Sequence, residues 1–198
     1  MSCNLCSIFS KKGADIYYNK IIFETRRFVL VPSIGPLDLG HVLIVSKSHV
    51  CGLAAMDQES ILELFSFLNF LRLKNENSDT LFFEHGSFDN NSAGSCIDHT
   101  HIHVIPKYGQ YYNIFDNTNL NTLSVELNIE NFKKIDFPYI MCFNSLNDFR
   151  LYEAYNVHSQ MMRVAICNKR SETNWDWKKD ENPKLIAQSI EFWENNLR

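Results

Sequence analysis

Short apolar runs separated by turn-forming residues dominate the first quarter of the chain. Residues 28–31 and 41–45 are rich in β-branched and aliphatic side chains, and the segment between them contains Gly35, Pro36 and Gly40. Apolar runs of this length, bounded by glycine and proline, are typical of β-strands. We predict two strands that pair as antiparallel neighbours.

The periodicity then changes from that of a strand to that of a helix. Asp57 is a good N-cap residue, and the chain becomes polar again at residues 74–77. Between them the apolar residues recur at the spacing of one helix face, namely Ile61, Leu64, Phe65, Leu68 and Leu71. We predict a helix that covers one face of the sheet.

Two further strands are predicted at residues 80–84 and 97–105, with a polar loop at residues 86–94 between them and Pro106 at the end. Successive side chains of a strand point to opposite faces of the sheet. The second strand therefore places on one face His99, His101 and His103, and on the other Thr100, Ile102 and Val104. One face is polar and reactive, and the other belongs to the core.

The pattern weakens beyond this strand. Residues 111–131 are rich in asparagine and predict a connection, whereas residues 137–143 and 149–155 predict a hairpin. We divide the chain into a domain at residues 1–110 and a C-terminal extension of mixed helices and strands at residues 111–198, packed on that domain.

Two helices are predicted at the end of the extension. Ser159 is expected to cap the first, and Asn182, followed by Pro183, is expected to cap the second. The second helix has an apolar stripe formed by Ile186, Ile190, Trp193 and Leu197. This stripe needs a partner surface, which indicates that the extension packs against the rest of the protein.

Composition excludes some classes of partner. The 198 residues are 45% hydrophobic, which suffices for a buried core, and the formal net charge of -4 comes with no basic stripe for a nucleic-acid backbone. No run of about 18 apolar residues indicates a membrane span, and the first residues do not resemble a signal peptide. We expect a cytoplasmic protein whose 6 cysteines are thiols or metal ligands rather than disulfides.

Three neighbouring imidazoles suit more than one chemistry. Histidine titrates nearest to neutral pH and acts as a base, a nucleophile or a metal ligand. His-x-His on a strand also binds catalytic zinc in some enzymes. From the residues alone, a zinc-dependent hydrolase that uses His99 and His101 with His103 or His41 is therefore one candidate.

Residues 99–106 resemble the histidine triad of the HIT superfamily of nucleotide hydrolases and transferases. Residues 39–49 look like the Gly-His-apolar-strand-Lys-x-His segment of that family, and residues 93–95 resemble its glycine turn. Together these motifs cover about the first 110 residues in the family's order. The resemblance implies an α+β fold with a HIT-like antiparallel sheet of about five strands and one main helix.

The resemblance also implies roles for individual residues. His101 would attack the α-phosphorus of a nucleotide and form a transient nucleotidyl-histidine, while His103 and His41 would face the phosphate. The remaining donors to the substrate would be Ser95, the backbone near Gly94, and Lys107. For Lys107, an ordinary solvated lysine is an equal alternative.

The extension resembles that of larger bacterial HIT proteins, which carry a Ser-Gln-x-x-Arg segment like residues 159–163. There Gln160 and Arg163 would bind a distal phosphate of the substrate. The alternative is a helix cap followed by a surface arginine. Ser95 stands where many diadenosine polyphosphate hydrolases have glutamine, which leaves the leaving group open.

Cys3 and Cys6 have the Cys-x-x-Cys spacing of a zinc knuckle. In some HIT branches, and in the related galactose-1-phosphate uridylyltransferases, two histidines matching His49 and His99 complete a tetrahedral site. The resemblance therefore implies a structural zinc ion bound by all four residues. This ion would tie the amino terminus to the triad strand and take no part in the chemistry.

The leading interpretation is an enzyme that cleaves a dinucleoside polyphosphate or a related nucleotide conjugate through covalent His101. A nucleotide-binding sensor without turnover and the zinc-dependent hydrolase are the alternatives. The expected partner is a small nucleotide, which a divalent cation can accompany when the substrate is a polyphosphate. Many HIT domains form homodimers, and the resemblance extends this expectation to the present chain.

Overall fold

The computed structural model describes residues 3–10, 17–75, 79–88, 97–123, 129–144 and 149–198, and it confirms the predicted α+β class. The described strands form one antiparallel sheet in the order β1-β2-β3-β5-β4-β7-β8-β6. They are β1 (Phe23–Glu24), β2 (Phe28–Pro32), β3 (Val42–Ser46), β4 (Thr80–Gly86), β5 (His101–Pro106), β6 (Thr122–Leu123), β7 (Tyr139–Phe143) and β8 (Phe149–Glu153).

The α-helices are α1 (Gln58–Lys74), α2 (Ile129–Phe132), α3 (Met161–Arg170) and α4 (Pro183–Asn196). Asp57 caps α1 as predicted, because its side chain accepts a hydrogen bond from the backbone amide of Ser60. The Asn182 side chain caps α4 in the same way through the amide of Leu185. No helix in the described ranges has the length and apolar character needed to cross a membrane.

The prediction of about five strands is wrong for the sheet as a whole. Five strands come from the first 110 residues, but β7 of the extension pairs with β4, so that Phe82 lies opposite Phe143. The hairpin of β7 and β8 is confirmed, and β6 pairs with the far side of β8. The extension therefore continues the sheet, which has eight strands in the described part of the chain.

Several elements differ from the prediction in their bounds. The triad strand begins at His101, and His99 lies in a bend before it. Helix α3 begins after Gln160, which replaces Ser159 as the N-cap residue and makes no side-chain capping bond. The segment predicted as a connection contains β6 and the start of α2, while residues 124–128 lie outside the described part of the chain.

The two faces of the sheet carry different layers. Helix α1 packs on the face formed by residues such as Phe82, Ile102 and Val104. On the opposite face the N-terminal segment covers β2 and β3, with Leu5 and Ile8 as anchors. On that same face α3 covers β4, β7 and β8. The buried residues of this contact include Phe83, Ile140, Met162 and Ile166. Between these two coverings the histidine face of β5 remains open as a cleft.

Helix α4 fastens the extension to the loop before β3. The Trp193 side chain is fully buried, and its indole N–H donates to the carbonyl oxygen of Gly40 at 2.7 Å.

We expect Trp193→Ala to lower the free energy of unfolding by about 3–5 kcal/mol, because it leaves a large cavity and an unpaired carbonyl. Chemical denaturation measures this, and Gln188→Ala on the exposed face of α4 is the control, with a change below about 0.5 kcal/mol. Equal changes for the two variants would contradict this packing.

A buried carboxyl group lies on the α1 side of the sheet. Glu84 accepts hydrogen bonds from the hydroxyl of Tyr139 at 2.5 Å and from the amide of Leu53 at 3.2 Å. Burial raises the pKa of Glu84 from 4.5 to about 7, although the two hydrogen bonds oppose the change. The native protein therefore holds a proton on this group that the unfolded chain releases between these two pH values.

A group with a raised pKa in the folded state stabilises the protein at low pH and loses this contribution as the pH rises. We expect the stability contribution of Glu84 to be complete below about pH 4.5 and to fall by about 3 kcal/mol as the pH rises through 7. Glu84→Gln should flatten this part of the stability profile, whereas the exposed Glu191→Gln should not. Superimposable profiles of wild type and Glu84→Gln between pH 4.5 and 8 would refute the assignment.

Candidate active site and metal centre

Strand pairing places two imidazoles side by side on the floor of the cleft. His101 and His103 alternate along β5 with the core residue Ile102. In the sheet, His103 lies opposite Leu43 of β3 and Phe83 of β4. β3 pairs with residues 101–104 of the strand and β4 with residues 103–106, so His103 is flanked on both sides and His101 by β3.

A backbone carbonyl fixes the tautomer of His101. Its Nδ1 lies 2.6 Å from the carbonyl oxygen of His99, which can only accept, so we assign the ring proton to Nδ1. The lone pair is then on Nε2. Burial lowers the pKa of His101, with the hydrogen bond to His99 acting in the opposite direction. The ring is a neutral imidazole that presents a nucleophilic nitrogen to the cleft, where it is among the lining residues.

A second chain of hydrogen bonds orients His103. The amide N–H of Leu37 donates to Nδ1 of His41 at 3.0 Å, so the proton of His41 is on Nε2. That Nε2–H donates to Nδ1 of His103 at 2.8 Å. His103 must therefore carry its own proton on Nε2. Its ring stacks on Phe83 with centroids 4.2 Å apart and an interplanar angle of 5°.

The pair of His41 and His103 is held neutral. Burial is the main cause that lowers the pKa of both rings well below the usual value, and the positive charge of Arg163 lowers both further. When both rings are neutral, Leu37 can donate to His41 and His41 can donate to His103. The result is a fixed N–H donor at Nε2 of His103 beside the lone pair of His101.

The extension forms one wall of the cleft that holds His101 and His103. The opposite wall comes from the N-terminal half and includes Leu5, Ile8, Val31, Ser33 and Ile34. The extension contributes Ser159, Gln160, Met161, Met162, Arg163 and Trp177. Residues of both halves of the chain therefore line the cleft around His101.

Two residues predicted to bind substrate lie in this wall. Gln160 is buried, and its side-chain N–H donates to Asp176 at 3.0 Å. Arg163 is only 4% exposed, so the alternative of a surface arginine is wrong. Its Nε donates to the carbonyl oxygen of Trp175 at 2.6 Å, and its Nη2 donates to that of Gly35.

The other residues predicted to contact substrate are Lys107, Gly94 and Ser95. Lys107 is exposed, has a φ of 67°, and is absent from the described lining of the cleft. Gly94 and Ser95 lie outside the described part of the chain. Their roles therefore stay predictions.

Cys3, Cys6, His49 and His99 lie together beside the cleft, and their ligand atoms are all within 4.8 Å of one another. Nδ1 of His99 is 3.4 Å from Sγ of Cys3, and Nδ1 of His49 is 3.3 Å from Sγ of Cys6. Tetrahedral coordination with ordinary zinc–sulfur and zinc–nitrogen bonds separates such ligand atoms by about 3.5 Å. The donor set and its spacing fit a tetrahedral metal ion.

His99 belongs to this cluster and not to the floor of the cleft. Its Nε2–H donates to the carbonyl oxygen of Ser46 at 2.8 Å, which turns the lone pair of Nδ1 toward the thiols. This arrangement corrects the prediction that the three triad histidines share one strand face. The backbone carbonyl of His99, in contrast, accepts the hydrogen bond from Nδ1 of His101 in the cleft.

Two contributors to the site are missing from the sequence interpretation. The amide of Leu37 has no signal in the sequence, because any residue supplies a backbone N–H. Phe83, in contrast, lies at an odd position of β4 together with Leu81 and His85, and the period of two could have placed it on the histidine face.

Comparison with known proteins finds a family match in the first part of the chain. The chain matches the HIT domain model over residues 16–110. The chain is 26% identical to a hypothetical histidine triad nucleotide-binding protein from Sulfolobus tokodaii, covering 54% of this chain and 69% of that one with a TM-score of 0.43.

Two curated proteins are also similar in sequence. An uncharacterized HIT-like protein of Methanocaldococcus jannaschii is 29% identical over 92 residues, which are 45% of this chain and 69% of that protein. An adenosine 5'-monophosphoramidase of Schizosaccharomyces pombe is 30% identical over 118 residues, which are 58% of this chain and 80% of the relative. Since the triad, His41 on the neighbouring strand, the domain match and the relative from Schizosaccharomyces pombe agree, the chain belongs to the HIT superfamily.

Proposed function

We propose that this protein is a nucleotide hydrolase or nucleotidyltransferase that cleaves the α-phosphate linkage of a nucleotide conjugate through a covalent intermediate on His101. The observation that carries the proposal is the 2.6 Å hydrogen bond from Nδ1 of His101 to the carbonyl oxygen of His99. It leaves Nε2 as an unprotonated nucleophile at the floor of the cleft, so no separate base is needed.

In the first step the lone pair of His101 Nε2 forms a bond to the α-phosphorus, and the bond from phosphorus to the leaving group breaks. The leaving group takes the electron pair of that bond and, where it is basic enough to be protonated, a proton from solvent. The imidazole becomes cationic, and the carbonyl of His99 stabilises the proton on Nδ1. In the second step water attacks the phosphorus, the phosphorus–nitrogen bond breaks, and the nucleoside monophosphate leaves with one proton released to solvent.

His103 stabilises the charge on the phosphoryl oxygens. His41 does not face the phosphate as predicted, because it is buried and both of its ring nitrogens are hydrogen-bonded, so it acts through His103. The fixed N–H at Nε2 of His103 points its dipole at the place where negative charge develops, and His41 keeps that proton in place. Fixed donors of this kind account for much of the catalysis of phosphoryl transfer, because the reaction needs mainly positioning and charge stabilisation.

The proposed partner is a small nucleotide and not a polymeric nucleic acid. The relative from Schizosaccharomyces pombe is named for activity on an adenosine 5'-monophosphoramidate, which supports a phosphoramidate as one substrate class. A dinucleoside polyphosphate, with or without a divalent cation, is the other. Cytoplasmic location and a homodimer stay predictions.

We propose further that the four-residue cluster holds a structural zinc ion. Two thiols and two imidazoles are the donors that zinc prefers, and closing all four positions leaves none for substrate. The ligands Cys3 and Cys6 would then be tied to His99, whose carbonyl orients the nucleophile. Among the described residues, His101 and His103 are not part of a metal-binding group, which favours this assignment over a zinc-dependent hydrolase.

Replacement of the nucleophile tests the covalent step. We expect His101→Ala to lower turnover of a nucleoside phosphoramidate or dinucleoside polyphosphate by a factor of about 10³ or more, because the attacking nitrogen is removed. Intact-mass analysis of quenched wild type should show one added nucleoside monophosphate, and the His101→Ala sample should not. His158→Asn, in the extension, is the matched histidine control and should retain the adduct.

The same samples separate the enzyme from the sensor. Normal nucleotide binding by wild type, with neither turnover nor adduct for any member of the substrate panel, would favour a sensor and contradict the proposal. If the His101→Ala variant keeps its turnover, His101 is not the nucleophile.

Loss of one ligand tests the metal. We expect one zinc ion per chain by elemental analysis, and Cys6→Ser should reduce this to well below one, while Cys51→Ser should keep it. A ligand at about 1,000 times its dissociation constant stabilises a protein by about 4 kcal/mol. For a chain of this size that corresponds to a fall of about 10 °C in the melting temperature of Cys6→Ser. If removal of zinc from wild type leaves the melting temperature unchanged, the ion is not structural. If chelation abolishes activity reversibly without lowering the melting temperature, the ion is catalytic.

A further inference from the structure

The loop that carries His41 is hydrogen-bonded to the C-terminal extension near both of its ends. We name residues 33–41 the His41 loop. At its start the carbonyl oxygen of Gly35 accepts a hydrogen bond from Nη2 of Arg163, and the amide of Gly35 donates to the carbonyl of Glu181 at 2.9 Å. Both partners lie in the extension, so the first turn of the loop depends on it.

The end of the loop is held in the same manner by helix α4. The amide of Gly40 donates to Oγ of Ser189 at 2.9 Å, and the carbonyl of Gly40 accepts from the indole of Trp193 at 2.7 Å. Between the two glycines, Oδ2 of Asp38 accepts from the hydroxyl of Tyr108 at 3.0 Å and lies 3.4 Å from Nη1 of Arg170.

Packing leaves the loop little room to shift. Gly35 has a φ of 58°, a left-handed conformation that favours glycine. A Cβ atom at this position would lie 2.7 Å from both Cβ of Trp177 and the carbonyl oxygen of Asp180. The extension is therefore in direct contact with the backbone of the loop, at the same residue that Arg163 binds.

The loop in turn determines the tautomer of His41. Leu37 lies between the two held glycines, and its amide is the donor to Nδ1 of His41. Displacement of this amide would remove the group that forces the proton of His41 onto Nε2. Without that proton, the hydrogen bond that sets the donor of His103 is lost.

We infer that Arg163 is a positioning residue of the proposed nucleotidyl transfer: by holding the His41 loop it fixes the tautomer of His41 and thereby directs the N–H of His103 toward the substrate phosphate. This inference rests on the proposed function of the same site. It gives the extension a role in the chemistry that differs from direct binding of a distal phosphate, because Nε and Nη2 of Arg163 are both directed to backbone carbonyl oxygens.

The positive charge of Arg163, like its hydrogen bonds to the loop, favours the neutral tautomer of His41. The guanidinium is 4% exposed and lowers the pKa of both His41 and His103, after burial as the main cause. A protonated His41 would carry hydrogen on both nitrogens and could not accept from Leu37. The arginine therefore supports the neutral state on which the chain of hydrogen bonds depends.

Arg163→Lys separates geometry from charge. Lysine keeps the positive charge but lacks the planar fork that donates to two carbonyl oxygens at once. We expect kcat to fall by about 10- to 100-fold, since small misplacements of a catalytic group cost this much, with KM within about threefold of wild type. Arg150→Lys is the matched control, because Arg150 pairs with Asp116 in the extension away from the loop and should leave both constants unchanged.

Nitrogen NMR of the imidazole rings gives a readout that a general loss of stability would not produce. In wild type, His41 should show a protonated Nε2 and an unprotonated Nδ1. In Arg163→Lys the two nitrogens should move toward averaged shifts, while circular dichroism remains that of wild type. Ser189→Ala, which removes the acceptor of the Gly40 amide, should shift the His41 signals in the same direction and lower kcat by about fivefold.

Three results would overturn the inference. One is an unchanged tautomer of His41 in both variants, whatever the effect on rate. Another is a rise in KM with kcat unchanged in Arg163→Lys, which would assign Arg163 to substrate binding. The third is equal loss of activity in Arg150→Lys. If wild type turns over no nucleotide, the proposed function fails, but the tautomer measurement still tests whether the extension positions His41.

Discussion

One hydrogen bond sets the chemistry of this site: the N–H at Nδ1 of His101 donates to the carbonyl oxygen of His99. A histidine has two nitrogens, and without this bond either one can carry the proton in the neutral ring. Because the acceptor is the backbone carbonyl of a residue that also belongs to the cysteine–histidine cluster, the proposed nucleophile and the proposed metal centre are joined through His99. Changes in the cluster should therefore reach the reactive nitrogen without any contact with substrate.

Hydrogen bonds also fix the tautomers of the other histidines of the site. Ser46 fixes the proton of His99, Leu37 fixes that of His41, and His41 fixes that of His103. Each orientation begins at a backbone group whose position depends on the packing of the chain around it. The orientation of these imidazoles therefore depends on the fold, since the loop that contains Leu37 is hydrogen-bonded to α3 and α4, and the bend at His99 is hydrogen-bonded to Ser46 and, through the next residue, to Val50.

Local patterns predict those elements whose signal is local. The helix capped by Asp57 and the hairpin of β7 and β8 follow from periodicity and turn residues, and the residues of the metal cluster follow from the family motif. The continuation of the sheet from β4 to β7 could not be predicted, because a strand pattern does not specify its partner. The turning of His99 out of the strand face was missed since a period of two assumes a strand throughout. The burial of Arg163 had a signal: it lies three and four residues before Ile166 and Cys167, on the buried side of α3.

The central claim is that His101 is neutral in the resting protein, with its proton on Nδ1 and its lone pair on Nε2. Nitrogen NMR of selectively labelled histidine, read at neutral pH before any substrate is added, measures this directly. The account predicts a pyrrole-type signal for Nδ1 of His101 and a pyridine-type signal for Nε2. A protonated Nε2, whether in the opposite tautomer or in the imidazolium cation, would contradict it.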